Sequence, residues 1–310
     1  MEKEKPYLPF EQDGKTYNLY ELPDGFVIKG DLDLSYEDFE KLPDLSKVIV
    51  KGSFLCYACR NLISLDGAPK EVGGDFRCDG CGNLGSLEGA PEYVGGDFRC
   101  NSCENLDSLG GAPKEVGGNF YCGDHNDNLT NLKGAPKKVG GKFICIECNH
   151  LTNLEGAPEY VGGDFDCSHC KNLTSLEGAP KEVWRYFSCV GNKNLTSLVG
   201  ISPVWLDINC DNELKKKYGF RYSFSFDELE SCPVYQEELK KDEERLKQKK
   251  KNALTAKKLK YKIMRTIAAE NVSDEKDEKT GKRKINPRRS KDEKKVVADV
   301  LTSMAKDITD

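Results

Sequence analysis

The segment "GAPKEVGGDFRC" at residues 67–78 returns five more times, and that recurrence limits the folds open to this chain. It reappears as "GAPEYVGGDFRC" (89–100), "GAPKEVGGNFYC" (111–122), "GAPKKVGGKFIC" (134–145) and "GAPEYVGGDFDC" (156–167), then in altered form as "GAPKEVWRYFSC" (178–189). Anchored on the aromatic, Phe54, Phe76, Phe98, Phe120, Phe143, Phe165 and Phe187 stand 22 residues apart, with one step of 23. Leu32 lies 22 residues before Phe54 and Ile208 lies 21 after Phe187, so about nine units cover residues 26–212. A fixed period of this size marks a solenoid, because one unit cannot bury its own apolar face and stacked neighbours must supply the core. With 37% hydrophobic and 32% charged residues, a single large globular core across the chain is not expected.

Within a unit, Phe76-x-Cys78 alternates, which points both side chains to one face of a short strand and Asp75, Arg77 and Asp79 to the other. Glycine and proline in every period then return the chain for the next coil. With Phe76 and Cys78 as the central L-x-L, Cys81 at the Asn/Cys position, and Leu84 and Leu87 continuing the core, the unit resembles the leucine-rich repeat family. The resemblance covers roughly two thirds of the chain. One departure is visible: the first Leu of the pattern would fall at Gly73, and the apolar residue is Val72, one place early. The resemblance implies an α/β-type leucine-rich repeat solenoid with short parallel strands and an irregular convex side, here the GAPxxVGG segments.

Fourteen cysteines, most in CxxC spacing, raise the question of metal or redox chemistry. Pairs such as 78/81 and 100/103 are separated by 18 residues, within the range of zinc sites, and the fourth repeat reads Cys122-Gly-Asp-His125. The repeat period already accounts for that spacing. Cys189-Val-Gly-Asn192 places asparagine, a poor zinc ligand, at the second position. Stacked strands about 4.8 Å apart make rows of thiols, whereas zinc needs four sulfurs about 2.3 Å from one point. The reading is a buried cysteine ladder with no metal and no cofactor. His150 and His169 are expected at solvated positions. The start, MEKEKPYLPF, lacks an apolar core for a secretory signal, so the thiols are expected reduced.

Function is sought where the outward residues stop repeating. The row before each aromatic is mostly acidic: Asp31, Ser53, Asp75, Asp97, Asn119, Lys142, Asp164, Tyr186, Asp207. The next two rows bring Tyr121, Ile144 and Ile146 together as an apolar cluster flanked by Arg77 and Arg99. An apolar centre rimmed by charge is how a protein-binding hot spot is built. These five residues form the candidate partner-binding site on the concave sheet.

Charge divides the chain. Residues 211–310 hold 27 Lys/Arg and 20 Asp/Glu, and the preceding 210 hold 20 and 32. The predicted organisation is an N-terminal cap (1–25), the solenoid (26–212), a C-terminal cap (213–232) and a long charged helix (233–270). A flexible charged linker (271–295) and a short amphipathic helix (296–310) complete it. Ser225-x-x-Glu228 has capping-box spacing, Pro233 can open the long helix, and Leu239, Leu246 and Ala253 hint at coiled-coil heptads. In the last helix Val297, Val300, Leu301, Met304 and Ile308 mark one face, a docking peptide on a flexible arm.

These features predict a non-enzymatic scaffold that binds another protein, with a basic arm for a second contact. The alternative partner is nucleic acid through residues 245–289. Ubiquitin-ligase-type effectors carry Cys-x-Asp after their repeats, where this chain has Cys232-Pro233-Val234. No stretch approaches the roughly 18 apolar residues of a membrane span, so no membrane partner is expected. With no secretory signal or membrane span in view, a cytoplasmic setting is expected, and the resemblance to bacterial and phage-encoded repeats extends this to a host cytoplasm or a virion.

Overall fold

The structure, a computed structural model, describes residues 7–201, 207–270, 272–276 and 283–285, with side chains as far as Lys257. The chain divides into two compact units, Met1–Glu238 and Leu239–Asp310. The first is a parallel β-solenoid of about eight turns with the 22-residue period of the sequence.

Each full turn contributes two strands of only two residues. Strands such as Phe76–Arg77 and Phe98–Arg99 build one sheet, nine parallel strands from Leu32–Asp33 to Asp207–Asn209, with antiparallel Phe224–Ser225 added at its end. Strands such as Glu71–Val72 and Tyr93–Val94 build a second sheet of eight, from Val27–Ile28 to Glu182–Val183. This second ladder runs through the segment expected to be irregular and explains the apolar residue that stood one place early. Val72 is the buried residue of its own strand. The glycine pair after it is the corner between the sheets, where successive coils touch backbone to backbone. A Cβ on Gly95 would lie 2.2 Å from the Gly73 carbonyl oxygen, and one on Gly96 would lie 2.7 Å from the Gly74 carbonyl carbon. A side chain at either of these two positions would require the neighbouring backbone to shift.

Six columns fill the interior. In one coil they are Val94, Phe98, Cys100, Cys103, Leu106 and Leu109, all fully buried. The phenylalanines from Phe76 to Phe165 form a continuous stack, with centroids 5.0 to 5.4 Å apart and planes within 8° of parallel. Strand spacing sets that distance, and each buried side chain of this size contributes roughly 1.5–3 kcal/mol.

Both ends are closed. At the start, a hairpin of Pro9–Gln12 and Lys15–Asn18 packs Phe10 and Tyr17 against Phe26. At the other end lie α1 (Asn212–Tyr218) and α2 (Phe226–Glu230), the latter opened by the expected Ser225/Glu228 capping box. Helix α3 (Pro233–Glu270) begins at the expected proline. Beyond Glu238, Leu239 and Leu246 are half-buried and Ala253 is exposed. Within the stretch expected to be a flexible linker, Val272–Lys276 pairs antiparallel with Arg283–Ile285. Composition alone suggested the linker. In that register Val272 is the partner of Ile285. Val297, Val300, Leu301, Met304 and Ile308, with the rest of the predicted last helix, lie outside the described residues. Among the described residues no helix is long and apolar enough to cross a membrane.

Candidate functional site

The longer sheet sets neighbouring coils in strict register, so Arg77, Arg99, Tyr121 and Ile144 sit side by side on its outward face. All four are half-buried, as is Ile146 two residues further along. The five predicted residues therefore share one surface. Their mutual contacts are more specific than a hydrophobic centre with a charged rim. The Arg99 guanidinium lies 4.2 Å above the Tyr121 ring, and that of Arg77 lies 5.2 Å from the Tyr57 ring. Arg99 Nη2 donates to Asp97 Oδ2 at 2.9 Å, and Arg77 Nε donates to Asp79 Oδ2 at 3.1 Å. Each arginine is thus held between a carboxylate and a ring, which restrains its rotamer.

Two tyrosines extend the surface beyond what the sequence reading picked out. Tyr57 carries Arg77, and Tyr36 meets Tyr57 edge to face at 5.0 Å with 74% of its own surface exposed. The result is a stripe of Tyr36, Tyr57, Arg77, Arg99, Tyr121 and Ile144 crossing successive coils. Tyr57 was legible as an outward residue, but its pairing with an arginine one coil away was not. A second exposed aromatic group lies on the altered repeat, where Trp-Arg replaces the glycine pair. There Trp184 and Tyr186 are 45% and 41% exposed, and Trp184 meets Tyr160 at 6.1 Å. The broken glycine pair was its only signal in the sequence.

The acidic row proves to be largely structural. Asp97 N–H donates to Asp75 Oδ1 at 2.8 Å, Asn119 N–H to Asp97 Oδ1 at 2.8 Å, and Lys142 N–H to Asn119 Oδ1 at 2.7 Å. Ser53 N–H donates likewise to Asp31 Oδ1. These side chains satisfy backbone donors at the corner between the two sheets, where no strand partner reaches them. Lys142 cannot accept, and its ammonium instead lies 2.8 Å from Asp164.

The cysteines form two columns. In most coils the second thiol donates to the carbonyl of the preceding coil's strand cysteine, as Cys81 to Cys56 and Cys103 to Cys78, both at 3.2 Å. Asparagine takes the same place twice. Asn192 Oδ1 accepts from Cys170 N–H at 2.8 Å, and its Nδ2 donates to the Cys167 carbonyl at 3.0 Å. The extra residue of repeat four puts Asn126 there, accepting from Cys103 N–H at 2.7 Å and donating to the Cys100 and Cys122 carbonyls. His125, the residue with zinc-like spacing, is exposed, as are His150 and His169. All fourteen cysteines are free and buried. Among the described residues no group of three or more His, Cys, Asp or Glu side chains has the geometry to hold a metal. Burial pushes the thiols of Cys100, Cys145 and Cys167 well up, and that of Cys170 to about 12. At neutral pH they are protonated and poor nucleophiles.

At the C-terminal cap, Glu238 receives bonds from Tyr218 Oη (2.7 Å) and Ser197 Oγ (2.9 Å) and pairs with Lys217. Burial opposes its charge, but these donors together hold its carboxyl below the usual value. Cys232 is buried, and its thiol donates to the Tyr218 carbonyl at 3.4 Å. No family model, curated protein or solved structure matches this chain.

Proposed function

We propose that the chain is a protein-interaction scaffold of the leucine-rich repeat type. It binds one partner protein through the face that carries Arg77, Arg99, Tyr121, Ile144 and Ile146, the concave face in that family. The observation that carries this reading is the prestacked Arg99–Tyr121 pair beside Ile144 in adjacent rungs. Rigid aromatic and arginine anchors lose little conformational freedom on binding, and such residues dominate interface energies. The interchange of Cys and Asn at one bridging position, in Cys81, Asn126 and Asn192, supports the family assignment. The buried, protonated thiols favour a binding role over a catalytic one.

A photo-crosslinker at residue 121 of the full chain would identify the partner. Capture is expected to be lost in the Tyr121→Asp, Ile144→Asp double variant and kept when Glu71 and Glu115 on the other sheet are replaced by Gln. Capture that survives the first pair, with the melting temperature unchanged, would move the binding surface elsewhere.

A further inference from the structure

Helix α3 changes character along its length. Its early turns carry Glu237, Glu238, Asp242, Glu243 and Glu244. From Arg245 to Ala269 there is then no acidic residue at all, while Arg245, Lys247, Lys249, Lys250, Lys251, Lys257, Lys258, Lys260, Lys262 and Arg265 supply ten cations. Taken over the whole tail, acids and bases intersperse. Within this one helical stretch they do not. At 1.5 Å per residue, the acid-free segment is about 38 Å of helix.

The first two cations are matched by the acidic turns, Arg245 by Asp242 (2.6 Å) and Lys247 by Glu243 (3.6 Å). Lys249, Lys250, Lys251 and Lys257 are exposed, and no described carboxylate pairs with them. Three of these lysines are consecutive. On an α-helix, successive residues diverge by about 100°, so Lys249, Lys250 and Lys251 face three different directions. A flat anionic surface, whether bilayer or protein, could engage one of these directions at a time, and a bilayer also selects a helix with a continuous apolar face. A groove with phosphates on both walls engages all of them. The major groove of B-form DNA, about 12 Å wide, admits a helix of 10–12 Å diameter, whereas the major groove of duplex RNA is too narrow.

We propose that Arg245–Ala269 is a duplex-DNA-binding helix that recognises the phosphate backbone from within the major groove. This inference does not depend on the reading of the sheet face. Fluorescence anisotropy of the full chain against a short random-sequence DNA duplex tests it. Affinity is expected to fall by orders of magnitude between about 50 and 200 mM salt, as several phosphate contacts require. In K249Q/K250Q/K251Q/K257Q the salt slope should drop by about 3–4, near 0.9 for each lost contact, with far-UV helicity unchanged. The Tyr121→Asp, Ile144→Asp variant should bind DNA as the parent does. Three results would each overturn the assignment: parent-like binding by the quadruple lysine variant, equal binding to duplex RNA, or binding only to phosphatidylserine vesicles.

Discussion

Along the solenoid, charged side chains answer one another from coil to coil: Lys114 meets Glu92 at 3.1 Å, Lys133 meets Glu155 at 3.0 Å, and Lys181 meets Glu159 at 2.7 Å. Along α3 the lysines after Lys247 have no acid within reach on their own helix until Glu270. A stacked array offers every side chain a neighbour one strand spacing away on each side, so alternating Lys and Glu in successive repeats suffices to pair them. A lone helix offers partners only three or four residues away, and here the sequence withholds them. The contrast separates the two proposed surfaces. Where an array pairs charges between its coils, the residues that interrupt the pattern stand out. Where a helix leaves consecutive lysines unpaired, as at Lys249, Lys250 and Lys251, the run is available.

That contrast can be broken most severely at the corners of the coil. Gly95→Val forces a side chain into the Gly73 carbonyl and should cost more than about 4 kcal/mol in urea unfolding while leaving the helical signal of α3 in place. Gly82→Ala, with open space around its Cβ, should stay within about 0.5 kcal/mol. Next in size, Phe120→Ala should cost about 3–5 kcal/mol, since it empties one rung of a closed stack. Asn126→Ala follows at about 2–4 kcal/mol, because it leaves the Cys103 amide and the Cys100 carbonyl without this partner in the core.

Alkali should act on the body in a graded way. The folded state holds thiol protons more tightly than the unfolded chain, since burial raises Cys170 to about 12 and Cys210 to about 11 from a starting value near 9. That contribution is complete below pH 9 and is lost as pH rises through 11 and 12, so the melting temperature should fall steadily across that range. Glu238 works in the opposite sense. Its lowered carboxyl contributes above its ordinary value of 4.5 and the contribution fades as pH falls below it, and Glu238→Gln should flatten that acid edge. Smallest of all, Lys250→Ala on the arm should shift unfolding by less than about 0.5 kcal/mol.

Much of this was legible from residues alone. Twenty-two-residue spacing fixed the solenoid, Phe-x-Cys alternation fixed which side chains face inward, and the capping box placed α2. The second ladder was hidden because a two-residue strand such as Glu71–Val72 is too short to alternate. The Cys-x-x-His spacing of repeat four pointed to His125, when the residue that regains the column is its neighbour Asn126. Acidity before each phenylalanine read as surface character, because a hydrogen bond between equivalent residues of adjacent coils leaves no mark within a single repeat. The stacking of Arg77 on Tyr57 and Arg99 on Tyr121 escaped notice for the same reason. Each pair joins residues far apart in sequence that only register brings together.

Because coils bond to one another through equivalent atoms, the array behaves as a ruler. Excising residues 89–110 removes one complete graduation, after which Asp75 can meet Asn119 as it now meets Asp97. Chains that gain or lose whole repeats by duplication would keep their fold while moving the tyrosine and arginine stripe relative to the Trp184 end in steps of about 4.8 Å. Reach, in such a molecule, is heritable in integer steps.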